Sequence, residues 1–233
     1  MIRHLKLLFL LGLLTGCAGM DIDQILAGQL GPGSRVSVAE GIKHTLTLSS
    51  ERAADELSRP GGYADNPLFR IDLPQNLQPI ASSMRQFGLG RHVDQVEQLM
   101  NQGAELAARE AHAIFYEAIR GMTIDDALGI IRGSEDAATQ YFRQHTEANL
   151  RRRYQPIINS QLQQIGFYEQ YRSMLDIYNT LPIARRVSLD LETYVLTPSL
   201  DGLFQRMAME EALIREDPLG RGSEAIASVF GRR

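Results

Sequence analysis

The chain is nearly free of cysteine and wholly free of tryptophan: Cys17 is its only cysteine in 233 residues. No internal disulfide can form, so the folded part must be held together by its apolar core. A long apolar run is also missing. The segment 7–14 is apolar, but a membrane-spanning helix needs roughly 20 apolar residues. We therefore expect no transmembrane helix at the N-terminus.

The first 16 residues instead have the three parts of a signal peptide. Arg3 and Lys6 give a basic start, the apolar run follows, and small residues precede Cys17. The tetrad Leu14-Thr15-Gly16-Cys17 resembles the bacterial lipobox, in which the chain is cleaved before a lipid-modified cysteine. Several acyl chains there would anchor the protein firmly, because a single chain binds a membrane only marginally. We predict a signal peptide over residues 1–16 and lipidation of Cys17; the alternative is an ordinary secretory peptide with a chance cysteine.

This anchor predicts a place in the cell envelope. Ala18 follows the cysteine, whereas an aspartate there would favour retention in the inner membrane under enteric-type sorting. We therefore expect the outer membrane, with the body facing the periplasm. Cleavage leaves 217 residues and moves the formal charge from −4 to −6, because Arg3 and Lys6 are lost. A mildly acidic body argues against nucleic-acid binding.

Apolar residues recur at helical spacing almost everywhere after Ser37, and no segment has the alternating pattern of a strand. We interpret residues 17–35 as a lipidated tether, and residues 36–233 as one all-α domain of nine or ten helices. Breaks are expected at Pro156 and Pro198, since proline interrupts helices. Thr123 is expected to cap a helix. The predicted helices cover residues 37–57, 77–87, 93–120, 124–131, 134–153, 157–165, 167–181, 189–196, 198–215 and 223–230.

Several short segments resemble a known family. They are Met100-Asn101, Ala104-Glu105, Met122-Thr123-Ile124, the block from Asp136 to Phe142, the block from Leu200 to Phe204, Ile214-Arg215, Asp217-Pro218 and Val229-Phe230-Gly231. Together, over about residues 41–231, they resemble the bacterial lipoprotein family of domain of unknown function 4197. The resemblance implies an α-helical envelope protein with no established activity. The family more often has arginine where this chain has Gln102, so no role for a cation at that position is carried over.

The sequence has no motif that predicts a metal, a nucleophile or a phosphate site. None of the histidines after residue 17 has a glutamate three residues away, as di-iron helical bundles require. Glu40 and His44 lie one turn apart, which favours a surface contact over a metal site. No Gly-x-Ser-x-Gly elbow occurs, and Gly31-Pro32-Gly33 lacks the third glycine of a dinucleotide-binding loop. We predict no catalytic residue, no cofactor and no metal.

A set of polar residues is the remaining candidate for a site. Two lie one turn apart on the long helix and the others lie near two adjacent helix starts: Asn101, Glu105, Asp125, Asp126, Asp136 and Gln140, with Thr139 beside them. One hypothesis is a polar pocket between helices, with a carboxylate tuned as an acid or base. The other is that the aspartates serve the helix starts, while Asn101 and Glu105 make interhelical hydrogen bonds.

Three functions from different classes follow. The leading hypothesis is a non-enzymatic envelope lipoprotein that binds a protein partner or maintains the cell surface. The second is a periplasmic carrier that holds a lipid or small molecule in an interhelical cavity, and the third is an enzyme of unknown class.

A basic run, Arg151 to Arg153, is expected to end a helix and to interact with its dipole, or with anionic headgroups. The sequence makes no prediction of oligomeric state.

Overall fold

The computed structural model describes residues 32–182, residue 184 and residues 191–231. The predicted signal peptide, Cys17 and most of the predicted tether lie outside the described residues. The described chain forms eight α-helices and one short 3-10 helix. They are α1 (Pro32–Leu57), the 3-10 helix (Gln75–Leu77), α2 (Gln78–Gln86), α3 (Gly90–Gly121), α4 (Ala127–Arg132), α5 (Ala137–Gln164), α6 (Phe167–Asn179), α7 (Leu191–Glu216) and α8 (Glu224–Phe230).

The all-α class is thus confirmed, and the described residues contain no β-strand. The predicted number of nine or ten helices is too high, because two expected breaks do not occur. Within the same residues, no helix is long and apolar enough to cross a membrane.

The two missing breaks are at prolines. α5 runs through Pro156 and α7 runs through Pro198. A proline inside a helix removes one hydrogen bond and crowds the preceding turn, at a cost of about 3 kcal/mol. Tyr154 and Ile158 are fully buried on either side of Pro156, and each buried apolar side chain contributes about 1.5–3 kcal/mol. Core packing therefore outweighs the local preference to end the helix.

Two helix starts also differ from the prediction. α1 begins at Pro32, five residues before Ser37, because proline is well tolerated in the first turn of a helix. α4 begins after Asp126, whose side chain accepts a hydrogen bond from the Gly129 N–H at 2.8 Å. The predicted cap, Thr123, lies outside that helix.

The basic run lies in the middle of α5 and not at its end. Arg151 pairs with Glu147 at 3.3 Å, and Arg153 pairs with Glu117 of α3 at 2.7 Å. The expectation that these arginines interact with a helix C-terminus is therefore wrong, since the helix continues for eleven residues beyond Arg153. Arg151 and Arg153 pair with acids on α5 and α3, and Arg152 donates to the Asn149 side chain at 3.4 Å.

The core is built around α3, which packs against α2, α5, α6 and α7. Its buried face is rich in alanine, and a side chain at Gly103 would overlap Leu162 of α5. Small residues thus let the two longest helices approach closely. Phe115 of α3, Phe142 of α5 and Phe204 of α7 meet with ring centroids 5.5–6.0 Å apart. Such aromatic pairs add about 0.5–1.5 kcal/mol each beyond the area that they bury.

A buried ion pair joins the ends of four helices. Glu211 and Arg215, one turn apart on α7, are 0% and 5% exposed, with 2.7 Å between their charged groups. The Glu211 carboxylate accepts hydrogen bonds from the N–H groups of Ala138 and Thr139, at 2.9 and 2.7 Å, at the start of α5. Arg215 donates to the Ile130 carbonyl in α4 at 3.0 Å. Its guanidinium also lies 4.2 Å from the ring centre of a phenylalanine in α8.

We expect Glu211→Ala to destabilise the body strongly. The change leaves Arg215 buried without its counter-charge and two helix N–H groups without an acceptor, and breaking a buried pair typically costs about 3–5 kcal/mol. For a domain of this size, each kcal/mol lowers the melting temperature by about 2–4 °C. Thermal unfolding followed by circular dichroism measures the effect. Glu216→Ala, an exposed change on the same helix, is the control, and equal melting of the two variants would contradict the assigned role.

Candidate functional site

The structure divides the predicted polar set between two places. Asn101 and Glu105 lie on α3 and contact the connector, residues 58–74, which links α1 to the 3-10 helix. The aspartates and Gln140 lie at the ends of α4 and α5. No hydrogen bond or pocket found between residues 38 and 231 joins the two groups. Within that range, the structure therefore separates Asn101 and Glu105 from the aspartates and Gln140.

Asn101 fastens the connector to α3 by backbone hydrogen bonds. Its side-chain oxygen accepts from the Ile71 N–H at 2.8 Å, and its amide donates to the Ile71 carbonyl at 2.8 Å. A third bond, of 2.7 Å, runs to the Glu97 carbonyl one turn earlier. Asn101 is 1% exposed, so these bonds satisfy polar groups that water cannot reach. Asn101 thus bonds to a connector, where one of the two hypotheses expected another helix.

Two glutamates extend this row along α3. Glu97 accepts from the Leu73 N–H at 3.3 Å, and Glu105 accepts from the N–H groups of Tyr63 and Ala64, both at 3.2 Å. The three polar residues are spaced four apart, so they stand on one face of the helix. This polar row, Glu97, Asn101 and Glu105, supplies the hydrogen bonds that an irregular connector cannot make within itself.

A pocket of about 430 Å³ opens beside Glu105, between α3 and the connector. Glu105 is 8% exposed and is the buried residue of the pocket wall. The two connector N–H groups both bind Oε1, and the described residues offer Oε2 no hydrogen bond. Exposed polar side chains complete the wall, so the site is polar and reachable from solvent. The lining residues are Ser58, Pro60, Gly61, Ala64, Asp65, Gln98, Gln102, Glu105, Leu106 and Arg109.

The second group lies near two helix starts, and only Asp126 of its aspartates accepts with its side chain a hydrogen bond from the backbone of a helix's first turn. Asp126 caps α4. Asp136 stands before α5 and accepts from the Ser134 hydroxyl at 2.6 Å and from the Gln140 amide at 2.7 Å. The Ser134 hydrogen bond, followed by that of Gln140, holds the pKa of Asp136 below its usual range. Asp136 is therefore a carboxylate at neutral pH, which is unsuited to the role of a general acid.

Asp125 is exposed and shares the contacts of the turn before α4. Its backbone N–H donates to the Tyr141 hydroxyl at 3.2 Å. Its carboxylate lies at the limit of hydrogen bonding, 3.5 Å, from the Thr123 hydroxyl. These contacts hold the turn against α5. They do not pair the Asp125 carboxylate with a basic side chain.

A shallow groove of about 350 Å³ follows the start of α5 and brings together two segments that carry the family resemblance. Asp136 and Gln140 of α5 face Asp201 and Phe204 of α7 across it. Arg143 also lines the groove and forms ion pairs with Glu147 and Asp201. The positive charge of Arg143 is thus already paired with acidic side chains of the protein itself.

Sequence reasoning missed Glu97 and Glu211. Glu97 lies four residues before Asn101, and this spacing alone could have placed it in the polar row. Glu211 lies four residues before Arg215, which is the spacing of a helical ion pair. Nothing in the sequence indicates that this pair is buried, because its helix-end partners are more than 70 residues away.

Metal binding finds no support in the side chains described after residue 37, where no group of three or more histidine, cysteine or acidic residues could hold an ion. Glu40 and His44, the predicted surface contact, both line an open cleft with Lys43 and Arg120. His44 lies 3.2 Å from the Ser223 hydroxyl, the side chain that caps α8.

We expect Asn101→Ala to loosen the connector. The Ile71 N–H and carbonyl lose their partners in a site that excludes water, and each buried unsatisfied group costs about 1–3 kcal/mol. Hydrogen exchange measured by mass spectrometry should show faster exchange at residues 63–73 and little change in α5. Gln102→Ala, exposed at the next position of α3, is the matched control. Protection of the connector equal to that of the native protein would contradict the assignment.

We expect Ser134→Ala to raise the pKa of Asp136 towards its ordinary value. The native pKa is lowered, so the carboxylate contributes stability above the pKa of the unfolded chain, and this stability is lost as pH falls through the lowered pKa. Titration of the carboxyl carbon by NMR measures the shift. Ser160→Ala, which removes a hydroxyl bonded to Gln164 elsewhere on α5, should leave it unchanged. An unaltered pKa in the Ser134 variant would show that the hydroxyl is not its main cause.

Comparison with known proteins agrees with the resemblance drawn from the short motifs. No curated protein and no solved structure is detectably similar to the chain. A family model described as protein of unknown function (DUF4197) matches residues 33–231. This match covers the whole described body, including the polar row of α3 and the helix ends joined by Glu211. The chain therefore belongs to the DUF4197 family of proteins of unknown function.

Proposed function

We propose that the protein is a lipid-anchored component of the bacterial cell envelope, and that its helical body works by binding and not by catalysis. The observation that carries the first part is the tetrad Leu14-Thr15-Gly16-Cys17 behind a basic and apolar leader. The absence of an aspartate after Cys17 supports the outer membrane as its destination, with the body in the periplasm.

The contacts of the candidate acids support the proposal that the body works by binding and not by catalysis. Asn101 and Glu105 bind connector backbone, Asp126 caps a helix, and Asp136 is bound by Ser134 and Gln140. A general acid or base needs a carboxyl group whose proton is free to move and whose pKa lies near the working pH. The lowered pKa of Asp136 and the backbone bonds of Glu105 favour structural and binding roles.

The pockets favour binding at the surface over transport of a lipid inside the body. A lipid carrier needs a large apolar cavity. The clefts that the structure describes between residues 40 and 208 have volumes of about 350–450 Å³, and each contains charged side chains. The centre of the body is filled instead by the three phenylalanines and the alanine-rich face of α3.

Cys17→Ser tests the anchor. Without the thiol no lipid can be attached, so we expect an uncleaved chain or a soluble periplasmic form without acyl mass. Cell fractionation followed by intact mass spectrometry measures both properties, and a density gradient separates inner from outer membranes. Gly19→Ala, which leaves the tetrad intact, is the control and should stay lipidated. A serine variant that remains with the membrane after a high-salt wash would place the anchor elsewhere.

Cells that express the native protein or the Cys17→Ser variant also test the binding role. Chemical cross-linking in intact cells, followed by mass spectrometry, reports protein partners and bound lipids together. We expect the anchored protein to cross-link to an envelope protein through its exposed surface, and the Cys17→Ser form to lose that cross-link. Cross-links to lipid alone, on residues of the interior, would instead favour the carrier.

A further inference from the structure

Glu105 differs from the other buried glutamates of the described body in its lack of an ion-pair partner there. Four glutamates are at most 8% exposed in the described body: Glu97, Glu105, Glu210 and Glu211. A buried carboxylate is costly unless it is paired. Three of the four have arginine partners within the protein, whereas Glu105 forms no ion pair with any described residue.

The partners of the other three are close. Glu97 lies 3.4 Å from Arg85, and Glu211 lies 2.7 Å from Arg215. Glu210 pairs with Arg52 at 3.3 Å and also with Arg206. The fold thus places a guanidinium at each of these buried carboxylates, and it leaves the fourth with only two backbone N–H groups on one oxygen.

Glu105 lines a pocket of suitable size. Oε1 of Glu105 is occupied by the Tyr63 and Ala64 N–H groups, so Oε2 is the atom available to a ligand. The pocket of about 430 Å³ lies within the range of small-molecule sites. Asp65 adds a second carboxylate to its wall, and Gln98 and Gln102 add amides. The site therefore calls for a hydrogen-bond donor that carries positive charge.

One cation also lines the pocket. Arg109 stands one turn beyond Glu105 on α3 and is exposed, and neither Glu105 nor Asp65 lies within ion-pair distance of it. Residues four apart on a helix have Cβ atoms about 5–6 Å apart. A ligand bound at Glu105 can therefore extend an anionic group towards Arg109.

We propose that this pocket binds a small zwitterion, with its ammonium group on Oε2 of Glu105 and its carboxylate directed to Arg109, as in a free amino acid or the two ends of a short peptide. The inference rests on the proposed binding role of the body and not on the lipid anchor. A bare metal ion fits less well, since only two carboxylates line the pocket and an arginine stands beside them. Charge-assisted bonds of this kind are about twice as strong as neutral ones.

Isothermal titration calorimetry on the full-length chain in detergent tests the proposal with four probes. L-alanyl-L-alanine carries both charges, L-alanine carries them on one carbon, ethylammonium carries only the cation, and N-acetyl-L-alanine carries only the carboxylate. We expect saturable binding of a zwitterion at millimolar concentration or below, weaker binding of ethylammonium, and none of N-acetyl-L-alanine. The comparison of dipeptide with free amino acid distinguishes the two sources of the zwitterion.

Substitutions locate the site. Glu105→Gln keeps an oxygen for the Tyr63 and Ala64 N–H groups but removes the charge, and should weaken zwitterion binding at least about tenfold. Arg109→Gln should weaken the zwitterions and spare ethylammonium, and it tests the pocket even where the Glu105 variant unfolds. Glu110→Gln, which removes an exposed charge from the same helix outside the pocket, should change nothing.

Three outcomes would overturn the proposal: no heat with any zwitterion at millimolar concentration, equal binding by the Glu105→Gln protein, or tighter binding of N-acetyl-L-alanine than of ethylammonium. A calcium chloride titration serves as a further arm, and saturable calcium binding that displaces the zwitterion would make the pocket a metal site. These results are separate from the fate of the anchor, because the purified chain is titrated whether or not Cys17 carries lipid.

Discussion

The Glu211 carboxylate determines where four helices meet. The start of α5 exposes N–H groups that need an acceptor, and the end of α4 exposes carbonyl groups that need a donor. Glu211 and Arg215 supply both from adjacent turns of α7, and the ion pair between them reduces the cost of burying either charge. The Arg215 guanidinium covers a ring of α8 as well. α7 is thereby joined to the start of α5, and the Phe142–Phe204 contact joins the same two helices at a second point.

The polar row of α3 solves a different problem, which is how to hold a long irregular segment against a helix. Residues 58–74 contain three prolines, two glycines and one asparagine, which prevent regular structure. Their buried N–H groups still need acceptors. Glu97, Asn101 and Glu105 provide them at successive turns, in the same stripe of α3 that elsewhere carries alanine. The connector is thus held to the helix through its backbone, while its side chains Tyr63, Phe69, Ile71 and Leu73 are buried in the core.

The parts of this structure that depend on local patterns were predictable. The 3.6-residue period identified α3 and α6 closely, and Ser223 caps α8 where the predicted helix starts. The prediction failed where the structure depends on contacts between residues that are distant in the sequence. Pro156 and Pro198 stay inside helices because burial on both sides outweighs their local cost, and this burial depends on neighbouring helices. Asn101 and Glu105 were correctly assigned to hydrogen bonding, but the sequence gives no means of choosing a connector over a helix as their partner.

The grouping of the candidate site failed for the same reason. Asp126 and Asp136 are close in sequence and were placed correctly at helix starts, whereas Glu105 was joined to them only through chemical similarity. Hydrogen bonds between α3 and the connector span 24 to 42 residues, and those from Glu211 to the start of α5 span 72 and 73. Helical periodicity carries no information at either separation. That Glu105 forms no ion pair with a described residue is visible only when the partners of the other buried acids are known.

Tyr63 joins the Glu105 pocket to the centre of the body. Its N–H donates to Glu105, while its hydroxyl donates to the Ser199 carbonyl of α7 at 2.7 Å. The Ser199 hydroxyl lies 3.0 Å from the Tyr154 hydroxyl of α5. Burial raises the pKa of both phenols, and the charge of Glu105 adds to this for Tyr63, so both hydroxyls stay protonated at physiological pH. Tyr63 is therefore hydrogen-bonded both at its backbone N–H and at its hydroxyl. A change in the charge of Glu105 would act on Tyr63, which is linked through Ser199 of α7 to Tyr154 of α5.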